Sequence, residues 1–411
     1  MTTNRSHYEN AMYVFFLSAA ACLIYTIGAG VRSSYGIMLG AISENSGVSY
    51  SFVSFVLAVG QLVFGVMQPV FGIVALKKSN PFVLSCGVLL MAAGLLMIPF
   101  CKSVWMLLLF LGIVLPSGTA AFSFGIIMGA VTPKLSAGSA AALSGLVNAG
   151  GGVGYIVFAP LIQFMIALGG LAGAMLFLSV PTLLLLPMSL WLCGSKNPLS
   201  GSASSSGEAL PSGEKDIPLK VLFSQALQSH TYRFLMIGFF TCGFQMAIIE
   251  THLFTQITAY GISEKTVAFA FFIYGIAAIA GSVLSGVLCG HVRMQRVLGC
   301  LYGSRSVIVL IFLLAPKNLF TVYAFMVFLG LTGNSTVIPT SGLVGREFGA
   351  AKLATLFGLV FFIHQIGSFF SAWLGGICAA MTGSYTLIWC ISAVFSVVAA
   401  AASFRITLNS Q

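Results

Sequence analysis

Charge is what this chain lacks. Of its 411 residues only 6% are Asp, Glu, Lys or Arg, while 58% are hydrophobic. A water-exposed surface needs far more charge, which excludes a soluble globular domain. Acids are the scarcer sign, with 8 Asp and Glu against 18 Lys and Arg. In a soluble protein that excess would suggest nucleic acid, but no basic run with interleaved aromatics occurs, so no nucleic-acid partner is expected. The nine cysteines form neither a CxxC nor a Cys/His cluster, which argues against a disulfide framework and against a metal site. No ATP-binding signature is present and no cofactor is expected. Gly150-Gly151-Gly152 and Gly154 follow no strand and precede no Lys, so they do not make a phosphate loop. Small residues there, with Pro160, suit a close and bendable helix contact between the two halves of the chain. A membrane-embedded enzyme would need a clustered acid, base or metal set, and a receptor a sizeable soluble domain. Neither is found.

What remains is apolar length. Met12 to Val31 runs without a charge, about the 20 residues that a helix needs to cross a bilayer. This first stretch is too long for a cleavable signal peptide, and no small-residue cleavage site follows it. Hydropathy and loop breakers predict twelve spans: 12–40, 50–74, 82–100, 104–131, 139–167 and 171–193, then 231–258, 264–289, 295–315, 319–343, 353–379 and 384–405. Pro116, Pro133 and Pro339 are expected to kink or end their helices. The expected domains are a six-helix bundle over 1–193, a linker over 194–228 and a second six-helix bundle over 229–411. The linker carries the Ser/Gly run SGSASSSGEALPSGEKD. With both termini cytoplasmic, the outer side holds only Lys102, Lys265 and Lys317, while Arg32 and Arg305 lie in or at the edge of spans. The other Lys and Arg fall on the inner side, so the expected location is the cell (inner) membrane, N-in and C-in.

The halves repeat each other. Leu143-Ser144-Gly145-Leu146-Val147 recurs as Leu356-Phe357-Gly358-Leu359-Val360, with Gly154 matching Gly367. Phe110-Leu111-Gly112 recurs as Phe328-Leu329-Gly330, and Gly72 corresponds to Gly286. Two parallel six-helix halves make a transporter architecture, with substrate bound near midplane between them. Gly30-Val31-Arg32-Ser33-Ser34-Tyr35-Gly36, Gln68-Pro69-Val70-Phe71-Gly72, Gly281-Ser282 with Ser285-Gly286, Tyr302 with Arg305, His364-Gln365-Ile366-Gly367, Gly375-Gly376 and Gly383-Ser384-Tyr385 carry a resemblance. The chain resembles major facilitator superfamily transporters, and within them prokaryotic members akin to the monocarboxylate and oxalate/formate porters. That resemblance implies an all-α fold of twelve helices in two pseudo-symmetric bundles. Two departures stand out. The acid of the superfamily's loop 2–3 signature is missing, since Leu76, Lys77, Lys78 and Ser79 follow Gly72, and the loop 8–9 copy lacks it too. The oxalate/formate exchangers' Lys in span 11 and Arg in span 8 are also missing, so that exact substrate does not carry over.

Charges inside spans are few. Arg32 in span 1 either snorkels to headgroups or faces a water-filled path, and the repeat favours the path. Glu250 in span 7, the partner of span 1, is the one acid embedded in a span, and it falls opposite Arg32 under the repeat. The pair is expected to meet when an outer gate closes, with Glu250 as a proton-coupling or gate residue. The other reading of Glu250 is a solvated acid at the outer boundary. His252 is read as an interface residue. Candidate substrate contacts are Arg32, Tyr25, Gln245, Asn334, His364 and Gln365, whose midplane polar groups can equally be interhelical glue. Tyr302 and Arg305, one turn apart in span 9, serve either packing or contact with an anion. The expected function is secondary active transport of a small organic anion, a monocarboxylate, with proton coupling and alternating access, by a monomer in the lipid bilayer. The rival is an exporter of amphipathic drugs or metabolites on the same fold.

Overall fold

The computed structural model describes residues 2–135, 137–194 and 219–407. Every regular element among them is helical. Eleven helical stretches are long and apolar enough to span a membrane. One of these, Leu143–Gly194, has 52 residues. At 1.5 Å per residue it is more than twice as long as a bilayer core of about 30 Å is thick. It bends back at Gly170, where φ is 62° and ψ is −161°, a conformation that Gly adopts without a Cβ clash. Counting the two arms as spans 5 and 6 restores the twelve expected from hydropathy.

Local chemistry sets the span ends. Ser49, Ser79, Ser103, Ser229 and Ser263 each accept a hydrogen bond from the amide three residues on, as does Asn318. These N-caps open spans 2, 3, 4, 7, 8 and 10. Most of the linker expected over 194–228 lies outside the described residues. Its last part does not stay loose: Leu219–Gln228 is a helix running up to the start of span 7. The stretch LKVLFSQALQ has no Gly and only one Ser, unlike the preceding run, and is built mainly of helix-forming Leu, Lys, Ala and Gln.

Span 1 (Met12–Ser33) packs on span 5, span 2 (Tyr50–Lys77) on span 11 (Thr355–Thr382), and span 5 on span 8 (Glu264–His291). The last two pairings join the first six helices to the last six. Spans 4 and 10 are irregular near their middles. Span 4 contains a π-helical turn at Leu108–Val114, just before Pro116, and a break at Ala121–Ser123. Span 10 runs Leu319–Gly333, tightens to a 3₁₀ turn at Asn334–Thr336, and continues as Val337–Phe348 with Pro339 in its first turn. Spans 1 and 7 are broken too, and those breaks build the site.

Candidate functional site

Span 1 breaks at Ser34. The hydroxyls of Ser33 and Ser34 both donate to the carbonyl of Gly30, at 3.0 and 2.6 Å, and such back-bonding bends a helix. The chain resumes as Tyr35–Ser46. Span 7 (His230–Thr251) breaks at His252 and resumes as Leu253–Thr258. Arg32 and Glu250 each stand two residues ahead of their break, 218 residues apart, at equivalent places in the two repeats. The broken segments press together because Gly36 has no side chain. A Cβ there would lie 2.6 Å from the carbonyl oxygen of Glu250 and 2.9 Å from that of Thr251.

The two charges meet. Arg32 Nη2 donates to Glu250 Oε1 at 3.1 Å, and Arg32 Nη1 donates to Gln61 Oε1 at 3.2 Å. Tyr155 donates to Glu250 Oε1 at 3.2 Å, and Gln61 Nε2 to Oε2 at 3.5 Å. Glu250 thus takes three of these four hydrogen bonds, from spans 1, 2 and 5 of the opposite half. Burial is unequal: Glu250 is 4% exposed and Arg32 20%. The guanidinium also lies over the Phe64 ring, 4.9 Å from its centroid. A carboxylate sunk in the bundle, facing a cation with one side still open, is an arrangement that an incoming anion can compete for.

A second polar contact closes the same face further out. His252 Nε2 lies 2.8 Å from the carbonyl of Ala372, which can only accept, so that nitrogen carries the proton. Its bare Nδ1 then accepts from Tyr50 at 3.0 Å, while Tyr50 accepts from Tyr385 at 2.8 Å. Tyr50 belongs to span 2, so one hydroxyl is pinned between two residues of the other half. Phe55 packs edge-on against Phe369 and Trp373 across the same seam. Gln163 donates to Glu264 across spans 5 and 8.

Towards the opposite face, which carries the ends of the described chain, the contacts between the halves thin out at the glycines. Gly65 of span 2 meets Gln365 of span 11, and Gly152 of span 5 meets Ile279 and Gly275 of span 8. Seven residues towards the termini lie Gly72, Gly358 and Gly145, on the same helix faces to within about 20°. A Cβ at each of these three would meet nothing within 4 Å. Along these helix faces the described halves touch near the midplane, and the glycines below it have no neighbour from the other half within 4 Å of where a Cβ would stand.

A family model for the Major Facilitator Superfamily matches residues 21–370 and, again, 256–410. The chain belongs to that superfamily. The transporter's fold is also that of a solved variant of the nucleoside transporter NupG, with a TM-score of 0.71, covering 94% of this chain and 99% of that one at 15% identity. Among curated relatives, the "Uncharacterized MFS-type transporter YcxA" of Bacillus subtilis (strain 168) is 29% identical over 173 residues, 41% of this chain and 42% of that protein. The chain therefore aligns with less than half of that relative's length. Monocarboxylate transporter 12 of Xenopus laevis is 23% identical over 76% of this chain and 72% of its own. Monocarboxylate transporter 13 of Rattus norvegicus is 24% identical over 89% and 82%.

The transporter's other candidate residues fall into two groups. Tyr25 lies edge-on to Phe124 at 6.4 Å and against Gly150, and Asn334 sits in the break of span 10, reaching towards Gly151 in the opposite half. His364 stacks on Phe361 at 5.2 Å and also packs on Phe239. Gln365 lies 3.4 Å from His364 Nδ1, and its amide donating there leaves the His364 Nε2–H as the free donor. Gln245 Nε2 and Gln365 Oε1 are buried without a hydrogen-bond partner. Tyr302 and Arg305 stand apart, behind spans 7 and 10. Of the groups around Glu250, Tyr155 escapes the sequence reading, as does Tyr50 as the partner of His252. The one signal for each is a phenol inside a span, whose hydroxyl needs a partner once buried.

Proposed function

We propose that this major facilitator carries a small organic anion, a monocarboxylate, coupled to protons, by alternating access. The observation that supports it is the Arg32–Glu250 pair: opposite charges on equivalent positions of the two halves, joined where those halves close. In this reading Arg32 draws the carboxylate, and the anion takes the place of Glu250 on the guanidinium. Glu250, released from its cation, is the group that carries the coupled proton in this reading. His364, Gln365, Gln245, Asn334 and Tyr25 orient the rest of the substrate. The transporter works as a monomer in the cell (inner) membrane, and with its termini cytoplasmic the structure is the inward-open state. The relatives' printed names, monocarboxylate transporters 12 and 13, agree with this substrate class.

The aromatic surroundings of Arg32 and His364 favour one second reading, export of amphipathic compounds, in which Arg32 serves only the gate. Purified protein in liposomes separates the two. Uptake of two- to four-carbon monocarboxylates, driven by an imposed pH gradient and inhibited by one another, is expected. Efflux of amphipathic dyes with no carboxylate uptake would leave the second reading standing.

A further inference from the structure

The three partners of Glu250 differ in what they can do when its charge changes. Arg32 has donors only, and Gln61 reaches Glu250 through Nε2, also a donor, while its Oε1 is held by Arg32. An ionised carboxylate suits all three. A protonated one does not, because it has an O–H of its own to place, and a buried O–H without an acceptor is costly. Of the three, only Tyr155 can accept it. A phenol hydroxyl both donates and accepts, and among the described residues this one bonds to Glu250 alone. The other titratable groups around Glu250 are Tyr25 of span 1, Tyr35 just past its break, Tyr274 of span 8 and His364 of span 11. None of them bonds to it, and the Tyr274 hydroxyl faces the sulfur of Met246 at 3.8 Å.

Tyr155 also stands where the two halves meet most closely. Its ring stacks on Phe271 at 6.2 Å and meets Tyr274 edge-on at 4.9 Å, both in span 8. A Cβ on Gly275 would lie 2.6 Å from the carbonyl oxygen of Gly152 and 3.0 Å from the amide nitrogen of Ile156, so spans 5 and 8 touch by their backbones on either side of Tyr155. Two bodies rocking about such a contact separate least there. Tyr155 and Arg32 donate to one and the same oxygen, Glu250 Oε1, at 3.2 and 3.1 Å. An anion oxygen that takes this place on Arg32 is therefore within reach of the Tyr155 hydroxyl too.

We infer that Tyr155 is the positioning residue for the coupled proton, a hydroxyl that turns over with the charge of Glu250. This rests on the proton-coupled anion reading above. With Glu250 ionised, Tyr155 donates to it. With Glu250 neutral, Tyr155 accepts its O–H and gives its own hydrogen to the carboxylate on Arg32. Donors and acceptors balance in both states, and one hydroxyl joins the bound proton to the bound anion.

Infrared difference spectra, recorded as propanoate is added to the protein in lipid, test it. Wild type should show the C=O stretch of a protonated carboxyl, and Glu250→Gln should not. Tyr155→Phe keeps the ring against Phe271 and Tyr274 but removes the acceptor, so the band should move to higher frequency. Phe271→Leu loosens the ring and keeps the hydroxyl, so the band should stay at the wild-type frequency. In liposomes, Tyr155→Phe should lower uptake driven by a pH gradient about tenfold more than it lowers propanoate exchange. An unmoved band in Tyr155→Phe, an equal shift in Phe271→Leu, or equal loss of uptake and exchange would overturn the inference. Should Tyr155→Phe fail to fold, a ring-fluorinated tyrosine at this position decides. It keeps ring and hydroxyl but accepts more weakly, and a band that does not rise overturns the inference. Carboxylate transport without any carboxyl band would take the proton away from Glu250, and the inference with it. Wild type that carries no carboxylate overturns the anion reading itself, a result distinct from the others.

Discussion

Glu250, held by Arg32, is a buried carboxylate that fastens the two halves together, and in the proposed cycle it also carries the proton. Removing one member of a buried ion pair leaves the other uncompensated, at a cost of roughly 3–5 kcal/mol where both are enclosed. Arg32 is one-fifth exposed, so water offsets part of that, and Arg32→Gln is expected to destabilise by about 2 kcal/mol. The double variant Arg32→Gln/Glu250→Gln should regain most of that stability while remaining inactive, because no charge is then left alone. Thermal unfolding of the four proteins in detergent gives the cycle, and strict additivity would mean the two residues are not coupled. Glu250→Gln alone keeps a hydrogen-bonding side chain but cannot ionise. It should abolish uptake driven by a pH gradient while keeping substrate exchange within about threefold, and equal loss of both would remove its coupling role. The contact between these residues is legible from the repeat offset and the scarcity of charge. Of the other participants, Gln61 is legible only as a polar group at midplane depth in span 2 and Tyr155 not at all, because their contacts depend on how spans 2 and 5 rotate, which an almost uniformly apolar sequence does not encode.

At the level of the helix, the informative features are breaks. Spans 1, 4, 7 and 10 all interrupt, and the hydropathy pattern runs through spans 1 and 7 without a mark. Their breaks come from hydroxyls and from packing: Ser33 and Ser34 capture the Gly30 carbonyl, while His252 is held sideways by Tyr50 and Ala372. Pro116 and Pro339 announce the other two, which is why those are expected from sequence. The Tyr385–Tyr50–His252 chain gives the breaks a function, since it ties the resumed part of span 7 to span 2 on the closed face. Tyr50→Phe would leave His252 Nδ1 without its donor and Tyr385 without its acceptor. Each buried group left unpaired costs about 1–3 kcal/mol, enough to shift the balance about tenfold towards a state open on that face. Spin labels at position 102, on a loop, and at position 265, in the first turn of span 8, would report a larger long-distance population in Tyr50→Phe than in wild type. An unchanged distance distribution would show that the hydroxyl does not hold the face shut.

For the whole molecule, the paired glycines offer a direct test of motion. Span 2 runs towards the termini and span 11 away from them, so the midplane contact of Gly65 with Gln365 projects, two turns lower, onto Gly72 and Gly358. If the halves rock as rigid bodies about the midplane, opening the far face must bring those two positions together. The hinge is already visible: Gly152 and Gly275 allow spans 5 and 8 to touch at midplane, where a Cβ on Gly152 would lie 2.6 Å from Ile279 and 2.9 Å from the carbonyl of Gly275. Cysteines placed at 72 and 358, in a background with the nine native ones replaced, should resist a short bifunctional thiol reagent in the state described. They should cross-link when a carboxylate gradient keeps the transporter cycling, and cross-linking should stop transport until the bridge is reduced. Tyr50→Phe in the same background should cross-link faster without substrate, because it weakens the opposing face. Cross-linking at one rate in all conditions, or transport that continues through the bridge, would mean that the two bundles do not alternate about this hinge.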